Sequence, residues 1–165
     1  ILTERTLKDA KSGLDLATLT STTFARGNGG YDGPSDEAPR PHKVPEREPD
    51  FAVDLTTLDM AALIYRLSGD YNPLHASPSV AKAAGFPKPI LHGLCSLGVA
   101  GHAILRGCCD YDAKRLKSLQ LRFSSPVYPG ETVRTEIWRD GANISFKSKI
   151  VERDVVVLDL SLIHI

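Results

Sequence analysis

From Gly93 onward, Leu94, Leu97, Ala100, Ile104 and Leu105 recur at the spacing of one helix face, and after Asp110 the pattern changes to a period of two. One long helix followed by a run of alternating strands restricts the chain to few architectures. The helix expected over 93–106 carries Gly98 and Gly101 in its interior. Each weakens a helix by roughly 1 kcal/mol relative to alanine. The expectation is that they mark a very close approach, such as that of a sheet wrapped around the helix. Strands are expected over 119–123, 132–139, 143–151 and 155–163, with turns at Pro129-Gly130, Asp140-Gly141 and Glu152-Arg153-Asp154. Together these read as an α+β fold, an antiparallel sheet around a long central helix.

At 165 residues the chain has room for one ordinary domain core. Three zones divide it. In residues 1–26, strands are expected over 1–7 and 14–24, separated by Lys11-Ser12-Gly13. Two strands alone form a marginal hairpin, so they should pack on the rest of the chain or belong to a sheet whose remainder is missing. Residues 27–50 hold four glycines and five prolines and read as a linker. The stretch Arg26-Gly27-Asn28-Gly29-Gly30 at its start reads either as backbone N–H groups around a phosphate or as a plain flexible loop. Residues 51–165 are the globular part. Thr56-x-x-Asp59 resembles a capping box, with a helix expected over 58–67, an apolar face of Leu58, Ala61, Ala62 and Tyr65, and a stop at Gly69. A short helix is expected over 78–84, ended by Gly85, and Pro87 and Pro89 impose an extended approach to His92-Gly93.

Charge and cysteine usage remove several functional classes. Twenty Lys and Arg balance twenty Asp and Glu, without the basic excess of a nucleic-acid binder. No stretch approaches the roughly 20 apolar residues of a membrane-spanning helix. Cys95, Cys108 and Cys109 are odd in number, two are adjacent, and no C-x-x-C occurs. That is neither a disulfide framework nor a zinc ribbon, and it fits a reducing compartment. The chain begins Ile1-Leu2-Thr3 with no signal peptide, which reads as a processed chain or a fragment, and Ile163-His164-Ile165 is not a peroxisomal tripeptide of the S-K-L type.

Two clusters could do chemistry. In Gly69-Asp70-x-Asn72-Pro73-x-His75, an irregular loop carries a carboxylate and an imidazole five residues apart. Aimed at one water, they form a general acid–base pair, with Asn72 holding the loop through its side-chain amide. The same residues also read as an Asx-type turn with His75 simply exposed. The second cluster is Pro89-Ile90-Leu91-His92-Gly93 at the start of the long helix. The first helical N–H groups have no intrahelical partner and sit in positive potential, so Gly93 suits an oxyanion donor, or else a close helix–strand contact. His92 alone reads as structural, since no H-E-x-x-H or related metal spacing occurs.

These residues resemble a known family. Tyr65-Arg66-Leu67-Ser68-Gly69-Asp70-Tyr71-Asn72-Pro73-Leu74-His75 is similar to the signature of hydratase 2, the (R)-specific enoyl-CoA hydratases of the MaoC-like hot-dog family. Ala84-Gly85-Phe86-Pro87-Lys88-Pro89-Ile90-Leu91-His92-Gly93-Leu94-Cys95 continues the likeness, as does Arg122-Phe123-x-x-Pro126-Val127-Tyr128-Pro129-Gly130-Glu131-Thr132. The resemblance spans about residues 22–150, with three motifs in order. It implies a hot-dog fold with catalytic Asp70, Asn72 and His75 and an oxyanion glycine at Gly93.

The implied reaction is reversible hydration of a trans-2-enoyl-CoA to a (3R)-3-hydroxyacyl-CoA in fatty-acid β-oxidation. Asp70 is expected as base and His75 as acid. Neither a metal nor a redox cofactor is expected, CoA being part of the substrate. Lys117, Arg122 and Arg26 are candidates for its phosphates. Eukaryotic members carry two hot-dog repeats. Residues 1–26 resemble the tail of a first repeat, 27–50 a linker and 51–165 the catalytic repeat. The expected state is a homodimer or a pairing with a missing N-terminal repeat, and the expected location is the peroxisome, with the cytoplasm as alternative. The rivals are a hot-dog thioesterase or dehydratase, and a non-catalytic acyl-CoA-binding or interaction domain.

Overall fold

The computed structural model describes residues 1–23, 25, 27–30 and 42–165. The chain divides into two units, residues 1–39 and 40–165. Arg26, and with it part of the glycine-rich stretch and of the linker, lies outside the described residues, and residues 42–50 contain neither helix nor strand.

The first unit contains an antiparallel hairpin of β1 (Leu2–Lys8) and β2 (Asp15–Thr22), with Arg5 opposite Leu19 and Leu7 opposite Ala17. Its turn is organised by Asp9, whose carboxylate accepts the backbone N–H groups of Ser12 and Lys11 and the Ser12 hydroxyl. Those bonds, the Ser12 N–H above all, hold its carboxyl below the usual carboxylate range. Leu2, Leu7, Leu14, Leu16 and Leu19 are all exposed.

The second unit runs β3 (Phe51–Thr56), α1 (Ala61–Tyr65), α2 (Pro78–Ala83), α3 (Gly93–Cys108), β4 (Ser118–Phe123), β5 (Thr132–Asp140), β6 (Asn143–Ile150) and β7 (Val155–His164). The five strands form one sheet in the order β3-β5-β6-β7-β4, and every neighbouring pair is antiparallel. Alternation decides which face is covered: in β5, Val133 and Thr135 are buried between partly exposed neighbours, and Ile137 continues the series next to buried Trp138. Val133 and Ile137 join Ile144, Phe146, Ile150, Val157, Leu158 and Ile163 against Ala100, Ile104 and Cys108 of α3.

Three expectations are corrected. First, residues 51–56 form an edge strand, and no capping box follows it. Thr56 ends β3 with its hydroxyl 3.0 Å from that of Thr132. Thr57 donates its hydroxyl to the Glu131 carbonyl and accepts from the Gly130 N–H. The Thr56 side chain that would have capped a helix faces Thr132 instead, and Thr57 holds the turn before β5. The helix starts later, at Ala61, with Met60 as its uncapped N-cap, and it tightens into a 3-10 turn over Arg66–Ser68. Second, Leu58 is exposed rather than part of the apolar face. Third, among the described residues α3 is covered on one face only. Leu94 is 62% exposed, and no described atom lies within 4 Å of a side chain added at Gly98. Gly101 is buried, and among the described residues its nearest contact is Leu119, at 4.0 Å. The close approaches fall at the two ends of α3 instead. A Cβ on Gly107 would lie 2.7 Å from the Phe51 ring, and one on Gly93 would lie 3.2 Å from the Phe123 ring.

Candidate active site

The loop after α1 is built by its own side chains. Gly69 closes the 3-10 turn at φ +108, a conformation glycine adopts at little cost, and so turns the chain into Asp70. The Asn72 N–H donates to the Asp70 carboxylate at 3.2 Å, and the Asn72 side-chain oxygen accepts the Leu74 N–H at 3.0 Å. Asn72 thus caps the second 3-10 turn, Pro73–His75, in which proline supplies a fixed φ. Its amide oxygen is committed to holding the loop, the part assigned to it from sequence.

His75 is buried rather than exposed, and its Nδ1 lies 2.8 Å from the Ile90 carbonyl oxygen. A carbonyl can only accept, so Nδ1 carries the proton and Nε2 of the neutral ring is bare. His92, 2% exposed, places Nε2 3.2 Å from the Asp70 backbone oxygen, which fixes Nε2–H by the same logic. The two imidazoles stack with centroids 3.7 Å apart and planes 24° apart, and Tyr65 packs beside His92 at 4.7 Å. Burial pushes the His92 imidazole below its ordinary range, which keeps it neutral at pH 7.

One donor atom each from Asp70, His75 and His92 fall within 4.8 Å of one another. A metal ion would need lone pairs converging on one point. Stacked rings direct theirs along nearly parallel planes, so the cluster as built suits a water held by Asp70 and His75 better than a cation.

The other half of the site is the start of α3. His92 is its N-cap, in extended conformation and without a side-chain cap. Gly93 opens the helix and lines a cavity of about 320 Å³, and its N–H has no partner among the described residues. His75, Gly93, Ser96, Phe123, Val157 and Leu158 are among the residues that line it. The segment before α3 is tied to the sheet side by the Leu91 N–H on the Val127 carbonyl at 2.7 Å. The helix end adds positive potential where a carbonyl oxygen would gain charge. His75 also borders a second cavity of about 290 Å³ that carries Asp59 and Lys88.

The structure therefore sets Asp70 beside His75, and His75 on one cavity with Gly93, while Asn72 holds the loop between Asp70 and His75. Lys117 and Arg122 line neither cavity, and the Lys117 ammonium donates to the Lys114 carbonyl. Sequence reasoning read His92 as structural and passed over Phe123 and the Ile90 carbonyl. Their parts depend on a backbone oxygen, on ring stacking and on the vicinity of Gly93, none of which a residue pattern displays.

The MaoC like domain model matches residues 41–159. Peroxisomal multifunctional enzyme type 2 of Mus musculus is 46% identical over 140 residues, 83% of this chain and 19% of that protein. Enoyl-CoA hydratase 2, peroxisomal, of Arabidopsis thaliana is 42% identical over 156 residues, 89% of this chain and 50% of that protein. The crystal structure of a MaoC-like dehydratase from Phytophthora capsici superposes with a TM-score of 0.87 at 42% identity, over 99% of this chain and 57% of that one. The chain thus spans about half the length of the plant relative and about a fifth of the mouse one. A match that begins before β3, takes in both motif loops and the long helix, and runs into β7 allows one assignment: the chain belongs to the MaoC-like domain family and has its hot-dog fold.

Proposed function

We propose that the second unit hydrates trans-2-enoyl-CoA thioesters to (3R)-3-hydroxyacyl-CoA. The observation that carries this reading is the placement of Asp70 and His75 donor atoms within 4.8 Å of each other, with His75 and the helix-start Gly93 lining one cavity. Apolar groups such as Phe123, Val157 and Leu158 suit an acyl chain there. The names of the mouse and plant relatives support it.

In the proposed cycle Asp70, as carboxylate, and His75, as imidazolium, hold one water. The water oxygen bonds to C3 while Asp70 takes its proton. His75 delivers a proton from Nε2 to C2, and its Nδ1–H stays on the Ile90 carbonyl throughout. The Gly93 N–H stabilises the negative charge that collects on the thioester oxygen between the two transfers. A proton then returns from Asp70 to His75. One water is added, and no electron pair leaves the substrate.

The same reading takes residues 1–26 as the tail of another repeat, 27–50 as linker and 51–165 as the catalytic repeat. It pairs the chain with a second copy or with such a repeat, and it locates the protein in the peroxisome, as the relatives' names indicate for them.

The test is crotonyl-CoA with purified protein. Loss of the enoyl-thioester absorbance without release of free thiol, giving a product that an (S)-specific 3-hydroxyacyl-CoA dehydrogenase does not oxidise, is the expected result. Thiol release would make the chain a thioesterase, and no change at all would make it a binding domain. Light scattering of the same preparation should read above the 17.9 kDa of one chain.

A further inference from the structure

We infer that His92 is a positioning residue: through its Nε2–H on the Asp70 carbonyl and its ring face on His75, the short segment Ile90–Gly93 sets the acid, the base and the oxyanion donor together. This inference rests on the hydratase reading above.

His92 is 2% exposed and buried among Tyr65, His75 and the Asp70 loop, with Arg66 as the nearby cation. Its Nδ1 is buried without a hydrogen-bond partner among the described residues. A buried, unsatisfied acceptor is unfavourable, and a phenylalanine would fill the same space without one. Packing alone therefore does not account for an imidazole at this position. What the imidazole adds is the second nitrogen, whose N–H reaches the Asp70 backbone oxygen at 3.2 Å. That oxygen belongs to the residue whose carboxylate faces His75.

The connections close a circuit. Ile90 accepts the Nδ1–H of His75 at 2.8 Å, His75 stacks on His92 at 3.7 Å, and His92 holds the carbonyl of Asp70. Ile90 and His92 are two residues apart, and Gly93 follows directly. The reacting groups of an otherwise irregular loop are thereby referenced to the rigid start of α3, where the Gly93 N–H is. A shift of either group would break a hydrogen bond or a ring contact made by this one segment. Near neutral pH the arrangement also requires His92 to be uncharged, since a second proton would place a cation against His75 and leave Nδ1–H unpaired.

Two measurements on the full chain test this. Long-range proton–nitrogen NMR on histidine-labelled protein should report His92 as the Nε2–H tautomer and, where His75 is neutral, His75 as the Nδ1–H tautomer. In kinetics with crotonyl-CoA, His92→Phe should lower kcat by about tenfold or more with KM within about twofold, since misplaced reacting groups lose rate rather than affinity. In a His75→Gln background the same change should lower kcat by less than about twofold, because His92 acts through the pair. A misfolding variant would instead lose the same factor in both backgrounds. Should His92→Phe fail to fold, His92→Gln is read in the same cycle. An Nδ1–H or doubly protonated His92 at neutral pH overturns the inference, as does an unchanged kcat or an equal loss in both backgrounds. If the unsubstituted chain leaves crotonyl-CoA untouched, the hydratase reading falls, and the tautomer of His92 alone decides whether it holds the Asp70 loop.

Discussion

The two ends of α3 use one device for opposite purposes. At each, a glycine faces a phenylalanine ring: Gly93 with Phe123 and Gly107 with Phe51. At the C-terminal end everything is tied down. The Arg139 guanidinium lies 4.9 Å from the centre of the Phe51 ring and donates to the Gly107 carbonyl, so the last turn of the helix is locked to β3 and β5. At the N-terminal end the Gly93 N–H has no partner among the described residues, and Phe123 beside it is 49% exposed. Close approach of backbone and ring thus serves packing where polar groups are satisfied, and access where one is withheld. The middle of the helix teaches the converse, because Gly98 carries no close contact among the described residues.

The largest effect should come from the groups next to the free end. Asp70→Asn or His75→Gln should lower hydration by at least about a hundredfold with an unchanged circular dichroism spectrum, as expected of a positioned acid–base pair. A near-normal rate in either variant would remove the chemistry from this end of α3. A side chain at each helix end then separates the two purposes. Gly107→Leu should destabilise the fold by roughly 1–3 kcal/mol in denaturant titration through overpacking against Phe51, with little change in rate per folded molecule. Gly93→Ala should leave stability nearly intact, because the exposed Phe123 ring can swing aside, while kcat falls by about tenfold. Were both variants to lose stability and keep their rate, the distinction between the ends would collapse. The smallest effect belongs to the middle: Gly98→Ala should stabilise the chain by roughly 0.5–1 kcal/mol through helix propensity. A lower melting temperature for this variant would show a close contact that the structure lacks.

Most of the sheet was readable from local pattern. The expected ranges of β4 to β7 each differ from the observed strands by a single residue at one end, because alternation and turn residues are written into those segments themselves. β3 was not readable. Its partner, β5, is distant in the chain, and its last residue Thr56 together with Asp59 imitates a helix start. Helix propensity pointed to Gly98 as a contact, yet it says only that glycine weakens a helix, not which glycine something touches. The loop of Asp70 and His75 stood out because its residues are contiguous. The part we infer for His92 did not, since it depends on a backbone oxygen that no side-chain pattern encodes.

The edge position of β3 has a kinetic meaning. β5, β6 and β7 join through neighbouring residues, such as Asp140 with Asn143, and can pair early. The pairing of Phe51 with Ile137 instead closes one long loop, inside which lie Asp70, His75, His92 and Gly93. Closing it carries the larger entropic penalty, so it belongs to the slow part of folding. The groups proposed to react therefore come together after the sheet that supports them. Release of that single strand would dissolve the site while the β5–β7 meander persists, and amide exchange should show the Asp70 loop opening with β3 rather than with the sheet centre.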